Sequence, residues 1–94
     1  MTSTNFKVLN LPELLRDLPP EREDEIKSSV KDLKQPYPGR GRGDKKMIKG
    51  SSGAAYRLRV GNYRVFYRIA KSEKRVYVFD IQTAEGAHKK YGRL

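Results

Sequence analysis

The chain has no cysteine, no tryptophan and one histidine among its 94 residues. Without cysteine there are no disulfides and no thiolate metal ligands, and cysteine usage says nothing of redox compartment. One histidine and no cysteine also leave no metal site of the usual nitrogen and sulfur type, and no cofactor is expected. Long apolar runs are missing: no stretch approaches the roughly 18 residues that a membrane span needs. The start, Met1-Thr2-Ser3-Thr4-Asn5, lacks a charged segment followed by an apolar one, so it does not read as a secretory signal. These absences lead to the expectation of a cytoplasmic protein with no membrane partner. The length suits one domain, residues 1–94, and 36% hydrophobic residues permit a modest core.

Acidic residues are scarce and unevenly placed. Lys and Arg number 21 against 11 Asp and Glu, a formal net charge of +10. Residues 1–35 hold 6 basic and 7 acidic side chains, whereas residues 36–94 hold 15 basic and 4 acidic. A polyanion would therefore bind the second part.

The pattern predicts an α+β fold: a strand, a helical hairpin, then an antiparallel meander packed on the helices. Phe6 to Leu9 reads as a strand. Asn10 with Glu13 is in capping-box register, Pro12 fits a first helical turn, and Leu11, Leu14, Leu15 and Leu18 share one helical face. Pro19-Pro20 ends that helix. A second runs to Lys34, acidic early and lysine-rich late, with Ile26, Val30 and Leu33 as its buried stripe. Prolines and glycines make Gln35 to Asp44 a loop carrying Arg40 and Arg42. Lys45 to Lys49 begins the sheet, and residues 50–53 turn. Strands follow at 55–60, 63–70 and 75–82, the first two joined by Gly61-Asn62 in a tight hairpin. Alternation puts Tyr56, Leu58, Val60, Val65, Tyr67 and Ile69 on one face. Arg57, Arg59, Arg64 and Arg68 fall on the other, with Phe66 among them. The last strand is apolar in both alternating sets, which suits a central position. Guanidinium groups match phosphate geometry with paired hydrogen bonds, so the arginine face is a candidate anion grip. The segment Gly39-Arg40-Gly41-Arg42-Gly43 resembles a short flexible nucleic-acid contact. It lacks the G-K-[ST] ending of a phosphate loop.

The order of elements, Lys49-Gly50, the run from Tyr56 to Ile69 (YRLRVGNYRVFYRI) and the upstream Leu14-Leu-Arg-Asp-Leu-Pro19 closely resemble the RelE/ParE toxin superfamily over nearly the whole chain. The resemblance implies a type II toxin that enters the ribosome and cleaves messenger RNA, paired with a cognate antitoxin. The ParE branch instead implies inhibition of DNA gyrase. The cationic half suggests that the antitoxin masks it with an acidic segment that folds on binding.

Cleavage by the RNA's own 2′-hydroxyl needs a base, cations for the charged phosphorane and an acid for the leaving oxygen. By resemblance, Arg57 and Arg59 stand at basic positions implicated in catalysis and Arg64 at a phosphate-contacting arginine. Arginine is a poor base, with a pKa above about 12. Lys45, Lys46 and Lys49 are phosphate anchors or candidate bases, and Arg68 extends the binding face. Imidazole ordinarily titrates near about 6.5, so His88 is a candidate for acid–base work. Tyr91 is a candidate to stack on a base or to donate a proton. One departure stands out: where the family's nucleases carry an arginine ahead of the terminal tyrosine, this chain has Glu85. That keeps open a ParE-like role or RNA binding with weak cleavage. Oligomeric state is not legible.

Overall fold

The computed structural model describes residues 6–16, 18–39, 41, 43–48 and 55–92. Strand β1, Lys7–Leu9, leads into a one-turn helix α1, Leu11–Leu15. The longer helix α2, Pro20–Val30, tightens into a 3-10 turn over Lys31–Lys34. Strands β2 (Asp44–Ile48), β3 (Ala55–Val60), β4 (Tyr63–Ala70) and β5 (Arg75–Thr83) follow, and helix α3 spans Ala84–Tyr91. The sheet order is β1-β5-β4-β3-β2, with β1 parallel to β5 and the other neighbours antiparallel. Strand β5 therefore lies inside the sheet, with Val76 and Val78 in the core and Phe79 exposed on the other face.

The first arm of the helical hairpin is shorter than the leucine spacing predicts. Asn10 sits in the left-handed region, φ 68°, and its side chain makes no cap bond, so the expected capping box does not form. Leu14, Leu15 and Leu18 still pack on the core, although Leu18 lies beyond the helix. In α2 the acidic first turn holds Glu21 and Glu23, the last turn Lys27, as the dipole favours.

One sheet face forms the core. Leu58, Val60, Val65, Tyr67, Val76 and Val78 meet Leu15, Ile26, Val30 and Leu33, all buried. Each large aliphatic among them contributes about 1.5–3 kcal/mol by leaving water. Tyr67 reaches across to donate its hydroxyl to the Pro36 carbonyl at 2.6 Å. Phe6, Tyr37, Tyr56 and Tyr67 form a chain of ring contacts that fastens the Pro36 segment to the sheet.

Two features depart from simple alternation. A β-bulge breaks the β4–β5 register after Phe66: Phe66 pairs with Asp80, but Tyr67 pairs with Val78. Residues on the two sides of Phe79 thus change face relative to strict period 2. The C-terminal residues, expected as a tail, form α3. Thr83 caps it, accepting from the Gly86 N–H at 3.0 Å, and Gly92 at its end has φ 77°. Among the described residues no helix is long and apolar enough to cross a membrane.

Candidate nucleic-acid interface

The strand registers build the outer sheet face as two cross-strand rows. One row is Lys46, Arg57, Phe66 and Asp80; the other is Asp44, Arg59, Arg64 and Gln82. Neighbouring strands in a sheet lie about 4.8 Å apart, so Arg57, Arg59 and Arg64 originate within a small patch. Their charges feel one another. Burial, then Arg59 and Arg57, hold the Arg64 guanidinium below the ordinary arginine value, and Asp44 only partly offsets this. It remains a cation at neutral pH. Like charges held this close repel, and a bound phosphate would relieve that repulsion.

Each arginine is placed differently. Arg64 is held from below: its Nη1 donates to the Gly61 carbonyl at 3.0 Å and the Tyr63 carbonyl at 2.9 Å. Gly61 makes that hairpin turn with φ 55°, a region glycine enters without a Cβ penalty. Arg59 is exposed. Arg57 is 9% exposed, with Nη1 3.7 Å from an Asp44 carboxylate oxygen. That separation is too long for a good hydrogen bond, so Asp44 tempers Arg57 without capturing it. Arg68 is exposed farther along β4, its guanidinium 5.3 Å from the centre of the Phe79 ring.

The lysines divide by parity. Lys46 is exposed and opposite Arg57 on the outer face. Lys45 pairs with Leu58 on the core face, is 6% exposed, and ion-pairs with Asp32. It does not join the RNA-facing set to which the sequence reading assigned it, because one residue of register turns a strand side chain to the opposite face. Asp32 also accepts from the Gly43 N–H at 2.7 Å, so the pair fastens the loop before β2 to the helical layer. Arg40, Arg42 and Lys49, and the expected turn at 50–53, lie outside the described residues.

Phe66 lies on the arginine face, as alternation predicts, and α3 covers it. Phe66 is fully buried beneath Tyr91, ring centres 4.4 Å apart. Ala87 is the buried contact of the same helix. Tyr91 donates its hydroxyl to Asp80 Oδ2 at 2.5 Å, Lys90 Nζ donates to the same oxygen at 2.8 Å, and Gln82 Nε2 donates to Oδ1 at 3.0 Å. Burial pushes the Asp80 carboxyl up, but the bonds from Lys90, Tyr91 and Gln82 outweigh it and leave it below the ordinary carboxylate value. Burial and the Asp80 bond push the Tyr91 phenol up, so it stays protonated at neutral pH. His88 is exposed on α3. Glu85 points to solvent, 3.4 Å from Lys89, with both side chains largely exposed.

Sequence reasoning missed Asp80 and Gln82 as members of this face. A signal was present: Val76, Val78, Asp80 and Gln82 share one parity, and a change from apolar to polar within a parity marks a bulge. Among the described residues no three His, Asp or Glu side chains come together as metal ligands would.

Residues 13–87 match the family model described as the ParE toxin of the type II toxin-antitoxin system, parDE. A Methanocaldococcus jannaschii protein that bears the name of a RelE1 toxin is 36% identical over 76 residues, covering 80% of this chain and 82% of that protein. The fold is similar to that in the archaeal RelE-RelB complex from Pyrococcus horikoshii, with TM-score 0.63, 20% identity, and 84% and 94% of the two chains covered. It is also similar to the RelB-RelE antitoxin-toxin complex from Methanococcus jannaschii, with TM-score 0.64, 19% identity, and 90% and 98% covered.

Proposed function

The chain belongs to the RelE/ParE toxin superfamily, and from that premise we propose that this toxin is a metal-independent, ribosome-dependent endoribonuclease. The observation that carries the reading is the Arg57–Arg59–Arg64 patch on the outer face, beside Tyr91. In the proposed reaction the RNA 2′-hydroxyl attacks the adjacent phosphorus and the 5′-oxygen leaves, giving a 2′,3′-cyclic phosphate. Arg59 and Arg64 hold the phosphoryl oxygens as their charge grows, which is where preorganised cations lower a barrier most. Arg57 reinforces them from beneath, and Lys46 anchors a flanking phosphate. Proton transfer falls to His88 and Tyr91 of α3. The partner is a cognate antitoxin whose acidic segment covers the cationic face; the similar folds from P. horikoshii and M. jannaschii are both in complexes with RelB. The setting is the cytoplasm.

A ParE-like action on gyrase is the second reading, favoured by the match to the ParE model and by Glu85 in place of an arginine. RNA binding without cleavage is the third, favoured by the low exposure of Arg57. One experiment separates them. A reporter message is translated with purified ribosomes and this protein, and primer extension maps breaks; a parallel sample is assayed for gyrase supercoiling. Breaks within codons carrying cyclic phosphate ends, with gyrase unaffected, support the nuclease. Intact message with blocked supercoiling supports the ParE-like reading. Intact message bound in a salt-dependent way supports the third.

A further inference from the structure

We propose that Asp80 is a positioning residue: its carboxylate seats Tyr91, and with it the last turn of α3, beside the arginine patch. As a statement about catalysis this rests on the nuclease reading; as a statement about Tyr91 it stands alone.

Three observations carry it. Asp80 is 9% exposed yet carries three donors, one from its own strand and two from α3. A carboxylate accepting a phenol proton makes a charge-assisted bond, about twice as strong as a neutral one. The bulge after Phe66 is what brings Asp80 to the outer face, in the same row as Arg57. Finally, the Tyr91 ring lies on Phe66, the residue between Arg57 and Asp80 in that row. The phenol is thus fixed at both ends, by its ring on Phe66 and by its hydroxyl on Asp80.

A carboxylate on a phosphate-gripping face would repel the ligand. Lys90 shares the Asp80 oxygen with Tyr91 and balances that charge locally. The arrangement favours positioning over proton exchange within the pair. Asp80 is held ionised and Tyr91 is held protonated; the phenol's single hydrogen lies on Asp80 in the free protein and reaches the leaving 5′-oxygen by rotation of the hydroxyl about its C–O bond.

The test uses the full chain with ring-labelled tyrosine and the variants Asp80→Ala, Asp80→Asn, Tyr91→Phe and Asp80→Ala/Tyr91→Phe. Nuclear magnetic resonance follows the titration of each of the 6 tyrosines, with Tyr91→Phe assigning its signal. The Tyr91 midpoint is expected to fall by about one pH unit in Asp80→Ala, the equivalent of one charge-assisted hydrogen bond. Should the alanine variant not fold, Asp80→Asn gives the same readout, since it too removes the charge. An unmoved Tyr91 midpoint overturns the proposal. In the translation assay Asp80→Ala is expected to lose about 100-fold in kcat, as a misplaced reacting group does, and Asp80→Asn, which still accepts the hydroxyl, to recover most of it. The double variant should be no worse than the poorer single one. Losses that multiply mean that Asp80 acts elsewhere, which also overturns it. If the wild-type protein cuts no message, the nuclease reading fails and the titration alone decides the role of Asp80.

Discussion

Arg64 is held by two backbone carbonyls and crowded by Arg59 and Arg57, so its guanidinium is oriented before any ligand arrives. On the nuclease reading, Arg64→Ala loses about 100- to 1,000-fold in kcat, the usual cost of one preorganised donor to a developing charge. Arg64→Lys recovers little, because an ammonium lacks the planar fork; primer extension on translated message, beside circular dichroism, measures both. A different residue decides stability. Asp32→Ala removes the carboxylate that faces the buried Lys45 ammonium and accepts from the Gly43 N–H, and should cost about 1–3 kcal/mol in urea unfolding, as losing a charged hydrogen-bond partner does. A third prediction concerns pH. The folded-state pKa of Asp80 lies below its ordinary 3.8, so its stabilisation is complete above that value and is lost as pH falls through the lower, folded one. Between about pH 6 and about pH 2, Asp80→Asn should therefore show a shallower fall in unfolding free energy than the wild type. At this scale the sequence was legible wherever alternation held. Arg57, Arg59, Arg64 and Lys46 fall on the outer face as their parity predicts, whereas grouping Lys45 with Lys46 ignored it.

Helix α3 decides how much of the outer sheet face stays open. It starts at Thr83, beside the hairpin, where the Ala84 N–H donates to the Asn62 carbonyl at 2.7 Å, and ends with Tyr91 on Phe66. The Thr83 hydroxyl oxygen satisfies a first-turn N–H that has no partner within the helix, so Thr83→Ala should cost about 1 kcal/mol. In a domain of this size that is about 4–8 °C in thermal midpoint. The helix escaped the sequence reading because it is one short amphipathic segment with Gly86 inside it, and helices this short are marginal until they pack. Its signals were nonetheless ordinary ones: a threonine cap, Glu85 in the first turn, lysines in the last and Gly92 after it. Strands β3 and β4 were legible to the residue because period-2 patterning and the Gly61-Asn62 turn agree. Helix α1 was not, since leucine spacing describes a face without saying how many turns present it. The bulge in β5 hid Asp80, because a strict period carried past Phe79 inverts every later side chain.

The whole molecule keeps its two charge regimes apart in space. The near-neutral first third supplies edge strand β1 and the helices that cover the core face, and the cationic remainder supplies the other four strands, whose outer face carries the arginines. Such a division steers a polyanion toward one side and leaves the helical side indifferent to it. Binding to single-stranded RNA should weaken steeply with salt, and Arg59→Ala should reduce the slope of log K against log salt by about 0.7, the value of one phosphate contact. The fold class was legible from the order of elements alone; which part of the outer face α3 would cover was not, because that depends on long-range packing. The most direct test of the account is photo-crosslinking of a message made uncleavable by 2′-deoxy substitution, with this toxin bound to the translating ribosome, and identification of the linked peptides. The account predicts links to residues of β3, β4 and the end of α3, from Arg57 to Arg68 and at Tyr91. Links confined to α2, or no link to the toxin at all, would contradict it.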